Sequence, residues 1–108
     1  MVYSIDDIHN QIAPLAEKYH IPAIYLFGSY ARGEATETSD LDFLIDTTGT
    51  ELNSLLKLGA LYCDLEAAFG KEIDLITVRT ILQPATMESD IDFRDTVLKE
   101  RVELYAVA

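Results

Sequence analysis

The sequence predicts a small α/β domain in which one sheet is layered with helices. Three observations carry this expectation. Short apolar runs near residues 23–27, 40–45 and 71–78 have strand length. Stripes of apolar residues at helical spacing lie between and around them. Proline, glycine and serine stand at the junctions. The order is helix, strand, helix, strand, helix, strand, helix. At 108 residues the chain has room for one domain, residues 1–108, with one core.

The first helix is expected to start at Ser4, where Ser4 and Asp7 make a start resembling a capping box. Ile5, Ile8, Ile12, Leu15 and Tyr19 follow as one stripe. Pro14 interrupts it and predicts a kink or a split near Ala13. His9 and His20, at its two ends, read as surface or capping residues, because no metal-ligand spacing joins them to Cys63. Ile21-Pro22 ends the helix, residues 23–27 form a strand, and Gly28 is its turn. A short helix is expected over residues 29–32 and a polar loop over 34–39. In the second strand Leu41, Phe43 and Ile45 share one face, which leaves Asp40 and Asp42 on the other. Residues 47–50 read as a turn ending in a helix cap. Leu52, Leu55, Leu58, Tyr62, Leu65 and Phe69 mark a long helix stopped by Gly70. Residues 71–78 form the third strand and Pro84 breaks the segment after it. A last helix spans about residues 89–101, and residues 102–105 either extend it or form a short strand.

Composition excludes several classes. The hydrophobic fraction of 49% argues against disorder. No apolar run has the length of a membrane span, and the first residues lack the basic and apolar regions of a signal peptide. A single cysteine, Cys63, rules out an internal disulfide and fits a cytoplasmic location. Nineteen acidic against eight basic residues give a net charge of −11. Such a surface repels nucleic acid, and suits a basic protein partner, a cationic small molecule or a metal-bound nucleotide.

The chemistry concentrates in residues 25–46. Carboxylates two apart on one strand face repel, and a cation between them is the usual reason for the arrangement. Asp74, flanked by Ile73 and Leu75, is a lone acid in an apolar strand. If the third strand neighbours the second, Asp74 faces Asp40 and Asp42. The three then make an all-oxygen set suited to magnesium or manganese. Gly28 lets backbone approach a phosphate, and a helix beginning at Ser29 aims N–H groups at the anion. A phosphate holder and a metal holder joined by one loop imply a nucleoside triphosphate with magnesium. Arg32 either steadies that triphosphate or is solvated. Taken singly, Asp74 could instead pair with Lys71 or Arg79; Asp46 reads as a strand-end residue, and Glu34 and Glu37 as solvated.

Gly28-Ser29, then Asp40-Leu41-Asp42 ten residues on, then Asp74 resemble the active-site signature of the DNA polymerase β-like nucleotidyltransferases. The runs 28–33 and 39–42, and more loosely 98–105, resemble the minimal nucleotidyltransferase (MNT) subgroup, over about residues 21–105. The resemblance implies that family's fold, a small mixed β-sheet packed with helices. It implies that Asp40, Asp42 and Asp74 are catalytic and hold two magnesium ions, with manganese also suitable. Asp40 and Asp42 would hold both ions; Asp74 would hold the catalytic one and help activate the acceptor. Gly28 and Ser29 would hold the triphosphate. MNT proteins commonly pair with HEPN-domain RNase toxins, which implies an antitoxin that transfers AMP from ATP to a toxin tyrosine within a hetero-oligomer. Two alternatives stay open: a module that neutralises its partner by binding alone, and transfer to a small molecule. The latter usually requires a further domain.

Overall fold

The computed structural model describes residues 2–52, 54–82 and 88–107. Four strands among them, β1 (Ala23–Phe27), β2 (Leu41–Asp46), β3 (Ile73–Thr77) and β4 (Val102–Ala106), form one sheet. Their order across it is β3-β2-β1-β4. β1 pairs antiparallel with both β2 and β4, while β2 and β3 run parallel, so the sheet is mixed. The helices are α1 (Ile5–Lys18), α2 (Gly28–Arg32), α3 (Leu55–Phe69), α4 (Val78–Leu82) and α5 (Glu88–Glu100). No helix among the described residues is long and apolar enough to cross a membrane.

The pleat of β2 divides the interior. Leu41, Phe43 and Ile45 point to the larger core, where they meet Ile8, Ile12 and Ala16 of α1 and Leu61, Leu65 and Phe69 of α3. Leu44, of opposite parity, enters a smaller core with Phe27 and Val97 of α5. Each face of the sheet therefore has its own helical cover. The cover over the second face is thinner: Val97 of α5 is its one buried helical side chain among the described residues, with Val78 of α4 packed beside it.

Ser4 caps α1 with a complete capping box: its hydroxyl accepts from Asp7 N–H, and the Asp7 carboxylate accepts from Ser4 N–H. His9 Nδ1–H donates to the Leu104 carbonyl at 2.6 Å, tying α1 to β4. His20 adopts a left-handed φ of 56° just beyond the helix end. The expected split at Pro14 does not occur; α1 runs through it. Pro14 and Asn10 both lie on the exposed side, so water can solvate the Asn10 carbonyl that proline leaves without a donor.

Other boundaries move for local reasons. Thr50 closes a turn rather than a helix: its hydroxyl donates to the Thr47 carbonyl and accepts from Leu52 N–H. α3 is capped instead by Ser54, which accepts from Lys57 N–H. Leu52 is buried outside the helix, and Leu55 is 88% exposed rather than part of the core stripe. Gly70 ends α3 in the left-handed conformation, as expected. The third strand stops at Thr77, whose hydroxyl accepts from Thr80 N–H as the chain turns into α4, a helix the apolar run did not reveal. Residues 102–106 form a strand, with Leu104 inward and Glu103 outward. The break expected at Pro84 lies outside the described residues.

Proline in a helix interior costs about 3 kcal/mol relative to alanine. Its restriction of the unfolded chain returns about 0.4–1 kcal/mol of that. Pro14→Ala is therefore expected to raise stability by about 2–2.6 kcal/mol. Urea denaturation at unchanged m-value measures it, and a lower midpoint would contradict this account of α1.

Candidate functional site

The strand registers align three residues in a row across the sheet. Phe27 of β1 pairs with Asp42 of β2, and Asp42 pairs with Asp74 of β3. Asp42 is half-buried. Asp74 is exposed on the edge strand, so burial does not force it to find a partner. The parallel register sets the two carboxyls side by side, where their charges oppose each other. Burial, then the hydrogen bond to Asp74, the charge of Asp74 and the charge of Asp40 together push the Asp42 carboxyl up to about 7; Arg32 opposes the shift.

Gly28 forms the floor beside this pair. It opens α2 directly after β1, with φ +76°, a conformation that suits glycine. A Cβ at this position would collide with Asp42 Oδ2. The sequence suggests that glycine admits a phosphate, but its first structural duty is to make space for the Asp42 carboxylate.

A cavity of about 370 Å³ opens over the pair. Gly28, Arg32, Asp42 and Asp74 line its polar side. Leu75 and Ile76 of β3, and Phe93, Thr96, Val97 and Glu100 of α5, supply much of the remaining wall. Arg32 Nη1 donates to Glu100 Oε2 at 3.1 Å and Nε donates to Glu34 Oε2 at 3.4 Å. Arg32 is thus neither free nor merely solvated: it bridges α2 to α5 at the cleft.

Two of the residues singled out in the sequence stand apart from this cavity. Asp40 precedes β2 and lines a neighbouring cleft with Ser39, Gly70 and Lys71, although its charge still reaches Asp42. Ser29 lies in the first turn of α2 and is not among the lining residues; its carbonyl accepts from Glu34 N–H. Among the described residues, no three His, Cys, Asp or Glu side chains are gathered closely enough to hold a metal ion. The Asp42–Asp74 pair nevertheless has the chemistry of a hard-cation site. It offers only oxygen donors, and its mutual repulsion is relieved by a shared proton or by a cation. The α5 wall went unnoticed in the sequence, although residues 93, 96, 97 and 100 recur at helical spacing and could have flagged it.

Known proteins share this arrangement of the chain. The family description "Polymerase beta, Nucleotidyltransferase" matches residues 10–106. A Methanocaldococcus jannaschii protein, provisionally named a protein adenylyltransferase, is 37% identical over 101 residues, covering 94% of this chain and 98% of that relative. A solved structure provisionally titled a minimal nucleotidyltransferase is 28% identical, with a TM-score of 0.64 over 93% of this chain and 95% of its own. A chain in the structure of a tri-AMPylated Shewanella oneidensis HEPN toxin with its MNT antitoxin has a TM-score of 0.65 at 21% identity, covering 95% of this chain and 73% of that chain. At that identity the likeness is one of fold.

The Asp42 proton gives the metal-free protein a pH signature. Below the ordinary value of 3.8 the folded and unfolded chains both hold it; between about 4 and about 7 only the folded chain does. Its contribution to stability is therefore full at low pH and is lost as pH rises through that window. The loss is on the order of 1 kcal/mol, because a half-buried carboxyl is screened by solvent. Thermal melts in EDTA should show that decline in the wild type and a flatter profile in Asp42→Asn. Equal slopes would refute the raised proton affinity of Asp42.

The glycine floor has its own test. Gly28→Ala combines left-handed strain with the contact to Asp42, and is expected to cost about 2–4 kcal/mol. In an Asp42→Ala background the loss should shrink by about 1 kcal/mol or more. Additive losses in the denaturation cycle would mean that backbone strain alone explains the glycine.

Proposed function

We propose that this chain, which belongs to the polymerase beta nucleotidyltransferase family, transfers AMP from ATP to a tyrosine hydroxyl of a HEPN-type RNase toxin and so acts as its antitoxin. The observation that carries the reading is the in-register pair Asp42–Asp74 beside the Gly28 floor. The relative covered over 98% of its length is provisionally named for the same chemistry, and the Shewanella oneidensis structure holds a HEPN toxin already AMPylated.

In this reading Gly28 and Ser29 receive the triphosphate, and Arg32 offers the N–H groups that Glu34 and Glu100 leave unused. Magnesium, two ions with manganese as a substitute, would be held by Asp40, Asp42 and Asp74 and would neutralise the phosphate charge and orient the α-phosphorus. The tyrosine oxygen attacks the α-phosphorus, and the bond from that phosphorus to the bridging oxygen of the β-phosphate breaks. The phenolic proton passes to Asp74, the exposed member of the pair. The products are a tyrosyl–AMP ester and pyrophosphate. Each AMP adds a bulky anion to the toxin, which repels its RNA substrate.

Intact-mass spectrometry tests the reading. Purified HEPN RNase from the same genome, incubated with this chain, ATP and magnesium, should gain one or more AMP units. Asp42→Asn should lower the yield by at least a hundredfold, in the range of removing a charge-stabilising catalytic group. Silencing of the RNase without any mass change, equally by wild type and Asp42→Asn, would leave neutralisation to binding alone.

A further inference from the structure

Among the apolar side chains lining the cleft, Phe93 differs from its neighbours in exposure. It is 51% exposed, whereas Phe27 is 8% and Val97 2% exposed. Val97 already seals the smaller core against Phe27 and Leu44. Phe93 meets Phe27 edge to face, with ring centroids 6.3 Å apart and planes at 85°. A contact of that kind engages only part of the ring, and Phe93 also lines the cleft.

We propose that Phe93 is the surface on which the base of the bound nucleotide stacks. The inference rests on the adenylyl-transfer reading of the cleft and adds to it the residue that would recognise the base.

The position of Phe93 in the sheet frame argues for the base. The row across the strands runs Asp74, Asp42, Phe27, with Phe93 standing against Phe27. Asp74 lies on edge strand β3, open to an incoming acceptor. Phe93 lies beyond Asp42, on the β1 side that also carries Gly28 and Arg32. In-line displacement puts the attacking oxygen and the leaving pyrophosphate on opposite sides of the phosphorus, so an acceptor entering from the β3 side sends the pyrophosphate to the β1 side, and the nucleoside, which lies off that axis, can turn along α5 toward Phe93. Along α5, Phe93 and Glu100 are seven residues apart, roughly 10 Å at the helical rise. Glu100 marks the Arg32 end, suited to phosphates, and Phe93 the apolar end, suited to a flat ring. An aromatic face accepts any base and holds the larger purines best, so purine triphosphates are expected to bind ahead of pyrimidine ones.

Calorimetric titration of magnesium-ATP, and separately of magnesium tripolyphosphate, tests this on wild type, Phe93→Ala, Phe93→Leu and Phe93→Trp. Phe93→Leu keeps an apolar contact to Phe27 if the alanine variant melts early. Both smaller variants should weaken ATP about 5- to 100-fold and leave tripolyphosphate unchanged, while Phe93→Trp restores ATP. Equal loss for both ligands would make Phe93 a prop of the cleft wall and overturn the proposal. Undiminished ATP affinity would overturn it too, including the case in which only AMP transfer to protein is lost and the ring serves the acceptor. A wild type that binds neither ligand would instead remove the nucleotide reading, and this inference with it.

Discussion

The structure turns on the meeting of Asp42 and Asp74. Parallel pairing of β2 with β3 brings the two carboxyls side by side, and burial with the charge of Asp74 raises the proton affinity of Asp42. That contact dictates its surroundings. Gly28 has no side chain because one would collide with Asp42, and its left-handed backbone lets β1 pass directly into α2. The register is equally constrained. A shift of one residue in β2 would carry Asp42 into the main core and turn Phe43 toward the cleft. Asp42 is thus held by the hydrophobic pattern of its own strand, with Leu41 and Phe43 fully buried on either side of it.

The two faces of the sheet divide the labour between stability and access. Under the first face, α1 and α3 supply most of the buried apolar side chains, and the capping box and Gly70 fix the ends of those helices. Under the second, Phe27, Leu44 and Val97 make a small core against which Val78 of α4 also packs. A cleft there removes little apolar burial from the whole. It also gives Asp42 an environment dry enough to raise its proton affinity while Asp74 stays in water. The asymmetry between the carboxyls follows from position, since β2 is interior and β3 is an edge.

Much of this was legible in the sequence because it depends on period and local chemistry. Alternation in residues 41–45 assigns the faces of β2, Ser4 with Asp7 marks a helix start, and Gly70 marks a helix end. What failed depends on the third dimension. Strand parity groups Asp40 with Asp42; Asp40 stands just before the strand and lines the neighbouring cleft, while its charge still acts on Asp42. Leu55 fits a helical stripe, yet the helix begins so late that its first turn projects beyond the core. Asp74 looked costly to bury until the topology made β3 an edge. The partnership of Arg32 with Glu100, 68 residues on, has no sequence signal and appears only with the approach of α5 to α2.

Charge then decides how such a cleft can attract an anion. A chain of net charge −11 repels a free triphosphate over distances comparable with the Debye length. Arg32, the cation among the described residues that line the cleft, already divides its donors between Glu34 and Glu100. Binding must therefore be won at short range, from backbone N–H groups, from cations that arrive with the phosphates, and from contacts that carry no charge. The last of these are unaffected by the surrounding acids, which gives a half-exposed aromatic ring beside two carboxyls a physical purpose. The same field acts in the opposite sense on a basic polypeptide, so a protein acceptor of that charge would be drawn to the surface that hinders the nucleotide, leaving recognition of the nucleotide to the cleft.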